Sequence, residues 1–270
     1  MATPEDIRGH YVKVNGNRTF YDELGDGGQP IVCVHTAGAS SLEYQYVLPL
    51  FAKQGFHAYA LDLPGHSRSY PVNWRQHRTI HLHAEFVHAF VQTLGLNNPV
   101  IIGCSIGGDV TLDYAAHHWR EMAAGVPMEA CARTPTFPLP SGMIHPSWAP
   151  GWQDQMERAA IESLNRKCSA AKIEELRWQH RNSQVSAVGD LEAWAQHDVR
   201  AKLKDVKCPM LVIRGEDDFW VPRELTDETG RLLKNSEVMH LKNIGHYPMF
   251  EDPKLIADLV TAFCRKHKVI

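Results

Sequence analysis

The most constraining feature of the sequence is the pentapeptide GCSIG at residues 103–107. A run of apolar, mostly β-branched residues (VII) comes directly before it, and a helix-compatible run (IGGDVTLDYAA) overlaps its end. The pattern predicts a strand that turns sharply into a helix, with Ser105 at the turn in a strained backbone conformation. The flanking glycines let neighbouring segments approach closely, so we expect the serine hydroxyl to stand clear of the strand.

Strand-like and helix-like segments alternate over most of the chain. Strand patterns are found at residues 11–14, 19–23, 30–35, 56–62, 100–104, 210–214 and 236–241. Helices are predicted at residues 41–54, at 79–94 with Thr79 as N-cap and Gly95 as stop, and from Pro253 onward. This order is typical of a mainly parallel sheet with helices on both faces.

A long insertion interrupts this alternation, which breaks after about Thr134. It begins with the proline-rich stretch TPTFPLPSGMIHPSWAPGW, which cannot continue a sheet. Helical patterns follow around residues 153–166, 171–179 and 191–197. We therefore expect one core made of residues 1–132 and 201–270, and a helical cap made of residues 133–200.

The insertion is rich in tryptophan. It holds four of the seven tryptophans in the chain, namely Trp148, Trp152, Trp178 and Trp194. A cap over a pocket normally supplies apolar walls, so we expect these side chains to bind an apolar or aromatic substrate. Packing within the cap itself is the alternative.

Composition excludes several classes of function. The net charge is −3 and no basic or acidic block stands out, so we expect no nucleic-acid partner and no binding to an anionic membrane. No apolar stretch reaches the roughly 18 residues of a membrane span, and the N-terminus does not resemble a secretory signal. The six cysteines are scattered, which is typical of free thiols in a reducing compartment, so we expect a cytoplasmic protein.

Four further motifs occur in order along the chain. They are HTAG at 35–38, DLPGHSRS at 62–69, GEDD at 215–218 and GHYP at 245–248. With GCSIG at 103–107, they make the chain resemble the α/β-hydrolase family over nearly its whole length. The resemblance implies an eight-stranded, mostly parallel sheet with a helical cap inserted after the sixth strand.

The resemblance also implies a catalytic triad. A serine hydroxyl needs a base at neutral pH, and His246, in a loop after a late strand, is the candidate for Ser105. Asp218, three residues after a glycine, matches the family's acid and would orient the base. Asp217 and, more distantly, Glu129 remain alternative acids. The order Ser, Asp, His is the one expected for this fold.

An oxyanion hole needs two backbone donors. The N–H of Ile106, directly after the nucleophile, should be one, and the resemblance implies Ala37 as the other. Many relatives have glycine where this chain has Thr36. Its hydroxyl could bind the substrate or brace the loop, and we favour bracing.

Other polar residues have simpler interpretations. His81 and His83 would point apart on a helix, so a solvated helix face that includes His88 is favoured over a metal site. The Asp109 carboxylate should be stabilised by the helix dipole, because it lies in the first turn of a helix. Cys104 should pack in the core. The triad and backbone donors need no metal ion or organic cofactor, and no dinucleotide fingerprint accompanies the early strands.

The resemblance implies hydrolysis of a carboxylic ester of a small to medium, apolar or aromatic substrate. A lactone, a thioester, an amide or a carbon–carbon bond next to a ketone are alternatives. Dehalogenase and epoxide-hydrolase activities are disfavoured, because those relatives carry Asp where this chain has Ser105. A small-molecule receptor that retains the triad is an alternative of another class.

Overall fold

A computed structural model describes residues 6–134, 152–181 and 185–270, and these residues form one eight-stranded sheet. The strands are β1 (Arg8–Val14), β2 (Asn17–Leu24), β3 (Gln29–Val34), β4 (Phe56–Leu61), β5 (Val100–Cys104), β6 (Ala124–Met128), β7 (Met210–Gly215) and β8 (Ser236–Leu241). Their order is β1-β2-β4-β3-β5-β6-β7-β8. The β1–β2 and β2–β4 pairs are antiparallel and all others are parallel. The predicted mostly parallel sheet is confirmed.

Helices connect the strands. They are α1 (Leu48–Lys53), α2 (Ile80–Thr93), α3 (Ile106–His118), α4 (Trp152–Glu162), α5 (Ala170–Arg181), α6 (Ser186–Ala195), α7 (Arg200–Leu203), α8 (Arg223–Leu232), α9 (Pro248–Glu251) and α10 (Pro253–Lys266). Short 3₁₀ turns lie at Ser41–Tyr44, Val72–Trp74 and Trp119–Glu121. Within the part of the chain that is described, no helix is both long and apolar enough to cross a membrane.

The sheet separates two hydrophobic layers. Val32 and Val34 of β3 join one layer with α2 and α3, whereas Ile31 and Cys33 join the other with α1 and α10. This alternation follows from the two-residue period of a strand. Since both faces are covered, β3 and its neighbours are apolar at nearly every position.

The predicted helix at residues 41–54 is wrong in its extent. The structure has a 3₁₀ turn at Ser41–Tyr44 and a separate helix, α1, that begins at Leu48. Pro49 explains the break, because a proline lacks an N–H and fits the first turn of a helix but not its interior. The boundaries of α2 are confirmed: Thr79 Oγ1 accepts from the Leu82 N–H at 3.2 Å, and Gly95 follows with φ +65°.

Between β6 and β7 the described residues of the insertion form α4, α5 and α6. The prediction placed the last of these helices at 191–197, whereas α6 begins at Ser186. Gly189 in its first turns disfavours a helix locally. Its packing explains the earlier start, because a Cβ there would lie 2.4 Å from the backbone oxygen of His77. Close approach of α6 to the core thus overrides local propensity.

Candidate active site

Ser105 lies at the turn between β5 and α3. Its φ of 56° and ψ of −122° are rarely adopted by a residue with a side chain, so the turn is strained. The Ser105 N–H donates to the carbonyl of Met128 at 3.0 Å, and its carbonyl accepts from the Asp109 N–H at 2.9 Å. The strand-to-helix turn predicted from residues 103–107 is confirmed.

Glycines allow three backbone segments to meet at this turn. A Cβ on Gly103 would lie 2.0 Å from the carbonyl oxygen of Gly107, and a Cβ on Gly107 would lie 2.2 Å from that of Val34. Both obstacles are backbone atoms, so neither could yield without displacing a strand or helix. The strain at Ser105 is therefore held by the surrounding sheet.

His246 and Asp218 form a buried pair. His246 Nδ1 lies 3.1 Å from Asp218 Oδ1, and the same carboxylate accepts from the backbone N–H groups of Trp220 at 2.8 Å and Val221 at 3.3 Å. Burial by itself raises the pKa of Asp218, but His246 and the hydrogen bonds lower it to about 2. Asp218 is therefore ionised at neutral pH.

Glu129, a more distant candidate for the acid, lies next to Asp218. Its Oε1 accepts from the Gly215 N–H at 2.5 Å. Burial, and then the charge and hydrogen bond of Asp218, raise the pKa of Glu129 well above its usual range. Two adjacent buried carboxyl groups cannot both carry charge at low cost, and Asp218 is the one that does. The environment of Glu129 beside the Asp218–His246 pair therefore favours the neutral form of its carboxyl group.

The two remaining acids face elsewhere. The carboxylate of Asp217 accepts from the side-chain amide of Asn165, beyond the end of α4. Asp109 Oδ1 accepts from the Cys131 N–H at 3.2 Å, and burial raises the pKa of Asp109 well above its usual range. The expected dipole stabilisation of a charged Asp109 is therefore outweighed by its desolvation.

Thr36 is held by Glu43. Its N–H donates to Glu43 Oε2 at 2.9 Å and its hydroxyl donates to Oε1 at 2.6 Å. Burial raises the pKa of Glu43 to about 7, although both hydrogen bonds lower it. Thr36 also lines the cavity above Ser105, but its hydroxyl bond favours the bracing role.

Asp190 on α6, within the insertion, contacts the loop after β3 that also contains Thr36. Its Oδ2 accepts from the Gly38 N–H at 2.9 Å and from His66 Nε2 at 2.7 Å. His66 Nδ1 in turn lies 3.1 Å from the carbonyl oxygen of Pro64, so both ring nitrogens face acceptors. Asp190 and His66 are both almost completely buried. A helix of the insertion thus fixes the backbone beside Ala37.

A cavity of about 120 Å³ opens above Ser105. It is lined by Thr36, Ala37, Ser105, Ile106, Met156, Ala159, Ala160, Ser163, His180, Leu191, Trp194, Trp220, Val221, His246 and Tyr247. The structure therefore brings Ser105 and His246 to one space, together with both residues expected to supply oxyanion donors.

The four tryptophans singled out in the sequence differ in their positions. Trp194 lines the cavity, whereas Trp178 on α5 is 67% exposed and is not among the described residues of the lining. Trp148, like the side chain of Trp152, lies outside the described residues. The sequence reasoning missed Trp220, whose ring meets that of Trp194 at a centroid distance of 6.4 Å. Its position two residues after Asp218 was the available signal.

Three sets of described side chains could each hold a cation. Each set places one ligand atom per residue within 4.8 Å of the others. One is Glu129, Asp218 and His246; the other two lie on the surface between α2 and α3. In the first set, Asp218 pairs with His246 at 3.1 Å.

A family model described as "Alpha/beta hydrolase family" matches residues 31–259. The match spans most of the sheet, the Ser105 turn and the Asp218–His246 pair. The chain is an α/β hydrolase.

Other proteins resemble this α/β hydrolase over nearly their whole length. A bifunctional esterase/perhydrolase of Acinetobacter calcoaceticus is 26% identical over 95% of this chain and 99% of its own. A 2-hydroxy-6-oxononadienedioate/2-hydroxy-6-oxononatrienedioate hydrolase of Pseudomonas putida is 23% identical over 90% of each chain. The crystal structure of an enol-lactonase from Burkholderia xenovorans superposes with a TM-score of 0.83 at 18% identity, covering 95% of this chain and 100% of that one.

We expect Asp218→Asn to lower kcat by roughly 10⁴-fold, because an amide cannot hold the required imidazole tautomer or stabilise the imidazolium. Asp217→Asn is the matched control, since that carboxylate contacts Asn165 and not His246. Steady-state hydrolysis of a p-nitrophenyl ester measures both. A greater loss in Asp217→Asn would contradict the assignment.

We expect Asp190→Asn to lower the free energy of unfolding by about 3 kcal/mol, because buried His66 loses its counter-charge. Glu192→Gln on the same helix is the control. Its partner Arg78, at 3.2 Å, is 62% exposed, so the pair should contribute less than about 1 kcal/mol. Equal losses in both variants would contradict a special role for Asp190.

The loss in Asp190→Asn should depend on pH. Burial opposes both charges, but the partners lower the pKa of Asp190 and raise the pKa of His66. The Asp190 contribution is therefore present above about pH 4 and lost in acid. The His66 contribution is full below about pH 6.5 and lost as the pH rises through its raised pKa. Denaturation of wild type and Asp190→Asn from pH 3 to 9 should show the largest difference in the free energy of unfolding between these two pH limits. A difference that does not change with pH would contradict the charged pair.

Proposed function

We propose that this α/β hydrolase cleaves carboxylic esters of small to medium, apolar or aromatic substrates through an acyl-enzyme. Ser105 is the nucleophile, His246 the base and Asp218 the group that orients and stabilises the base. The observation that carries the proposal is one cavity in which Ser105 and His246 meet a wall of mainly apolar side chains. Similarity to an esterase over almost the whole chain supports it.

The reaction proceeds by acyl transfer. His246 accepts the proton as the Ser105 oxygen attacks the ester carbonyl, and then gives it to the departing alcohol. Water, deprotonated by His246, releases the acid and regenerates the serine. Asp218 stays ionised throughout, because its pKa is about 2. It therefore stabilises the positive charge that His246 carries in both transition states.

The N–H groups of Ile106 and Ala37 stabilise the negative oxygen of the tetrahedral intermediate. Ile106 is the first residue of α3, so its N–H belongs to the positive end of the helix dipole. Ala37 lies between Thr36, bonded to Glu43, and Gly38, bonded to Asp190. Bonds on both sides fix this peptide before the substrate arrives, so little reorganisation is needed during the reaction.

The charges around the cavity favour a neutral acyl group. None of the described residues that line it is Lys or Arg. The undescribed segments, residues 1–5, 135–151 and 182–184, contain neither residue type. A carboxylate bound there would lose its hydration without gaining a strong cationic partner, which costs several kcal/mol.

Carbon–carbon bond hydrolysis is the second candidate, because the Pseudomonas putida relative is named a hydrolase of 2-hydroxy-6-oxo dienedioates, and such a substrate has a carbon–carbon bond next to a ketone. The substrate in that name is a dioate and carries two carboxylates. The lack of Lys and Arg at this cavity disfavours such a substrate. A lactone remains compatible with the neutral lining, since it is an internal ester.

The matched substrates p-nitrophenyl 4-methylpentanoate and p-nitrophenyl hemisuccinate test the proposal, because they differ mainly in an isopropyl group against a carboxylate. We expect kcat/KM to be at least about tenfold higher for the first, since burying a charge without a partner is costly. Along unbranched acyl chains it should rise by up to roughly fourfold per methylene until the pocket is full. Ser105→Ala should lower turnover of all of them by about 10³-fold or more.

Three outcomes would contradict parts of this proposal. Preference for the hemisuccinate would refute the neutral pocket, and faster cleavage of a dienedioate than of any ester would favour carbon–carbon hydrolysis. Release of one equivalent of p-nitrophenol without further turnover would favour the receptor alternative.

A further inference from the structure

The surface between α2 and α3 gathers imidazole and carboxylate side chains far in sequence from one another. On α2 they occupy one helical stripe with spacings of four and three residues, and on α3 they lie in its last turns. We call this group the α2–α3 histidine cluster; its members are His81, Glu85, His88, Asp113, His117 and His118. Comparing His81 with His83 in the sequence missed it, because the partners are on the other helix.

The first half of the cluster centres on one carboxylate. Asp113 Oδ1 lies 2.8 Å from His81 Nδ1 and 3.0 Å from His117 Nδ1. His117 Nδ1 also lies 2.8 Å from the backbone oxygen of Asp113, a contact that a bound metal ion would replace. His81 is half exposed, so an ion could enter from solvent, whereas Asp113 is buried between the helices. Two imidazole nitrogens and a fixed carboxylate oxygen thus converge from two elements that pack together.

The second half continues from the first along α2. Glu85 Oε1 lies 2.7 Å from His118 Nε2 and 4.0 Å from His81 Nε2. His88 stacks on His118, with ring centroids 3.8 Å apart, and its Nε2 lies 2.9 Å from Glu121 Oε2. A second group of two nitrogens and one carboxylate oxygen is therefore assembled one turn further along the helix.

The imidazole rings of the cluster also contact one another in pairs. The ring centroids of His81 and His117 are 4.3 Å apart, and those of His88 and His118 are 3.8 Å apart. Each half therefore holds two imidazoles next to one carboxylate, and a neutral imidazole is the form that binds metals.

We propose that the α2–α3 histidine cluster binds a divalent transition-metal ion of the zinc type, with His81, Asp113 and His117 as ligands and Glu85, His88 and His118 as a second set. Imidazole with carboxylate is a donor set for zinc, nickel or copper, whereas magnesium prefers oxygen ligands. Water would complete the coordination.

The ion would act on stability and not on the chemistry at Ser105. α3 has 13 residues, so its C-terminal end lies about 18 Å from the nucleophile at its start. A shared ion would clamp α2 to α3, and α3 supplies the Ile106 N–H. Binding to the folded state alone raises the free energy of unfolding.

Substitution of Lys202 should change the metal affinity in the opposite direction from the loss of a ligand. Its ammonium group contacts His117 Nε2 at 2.5 Å and would repel a bound cation. His117→Ala removes a ligand and should weaken binding by more than the roughly 10–100-fold typical for loss of an outer-shell partner. Lys202→Met should instead strengthen binding, by about threefold or more. His267→Ala is the control, since His267 Nε2 pairs with Glu237 Oε1 at 3.0 Å and neither residue belongs to the cluster.

The experiment is calorimetric titration of untagged, chelator-treated protein with zinc chloride, with thermal unfolding measured on the same samples. We expect one or two saturable sites per chain, a higher Tm with zinc, no effect of magnesium at equal concentration, and the stated order of the variants. The Tm of each variant without zinc checks its folding, and His118→Ala separates the second set from the first. Equal affinity in wild type, His117→Ala, His118→Ala and Lys202→Met would mean an adventitious ion only and would overturn the proposal.

Discussion

The close backbone approach at the Ser105 turn is the constraint on which the rest of the site depends. β5 can pass directly into α3 only because Gly103 and Gly107 have no side chains to meet the carbonyl groups facing them. This packing forces Ser105 into a strained conformation and places the N-terminus of α3 beneath it. The same feature therefore presents the proposed nucleophile and the N–H group proposed as one donor for the oxyanion.

Buried carboxyl groups fix the loops around this turn. The cost of burying each one is reduced either by a histidine partner or by a raised pKa. Asp218 and Asp190 keep their charge beside His246 and His66. Burial next to Asp218 raises the pKa of Glu129 well above its usual range, and burial raises the pKa of Glu43 to about 7 while it holds Thr36. The loops that surround the cavity are thus held by polar contacts, while the mainly apolar wall remains available to a substrate.

The sequence reveals features that depend on local pattern. The strands, the turn at Ser105 and the caps of α2 follow from β-branched runs, glycines and Thr79, all of which act over a few residues. The contacts of Glu43, Asp190 and the α2–α3 histidine cluster join distant segments, and no local pattern identifies them. Pro49 and Gly189 also show that local pattern does not fix every helix boundary. Pro49 breaks a predicted helix, whereas Gly189 lies inside a helix because that helix packs closely against the core.

Activation of Ser105 as a nucleophile by His246 is the proposal on which the function depends. It can be tested most directly by mass spectrometry of the protein after reaction with a fluorophosphonate, which labels activated serines. We predict one equivalent of adduct on the peptide that contains Ser105, with labelling greatly slowed in Asp218→Asn and blocked by a slowly hydrolysed ester. Ester hydrolysis by a protein that is labelled at another residue, or not at all, would contradict it.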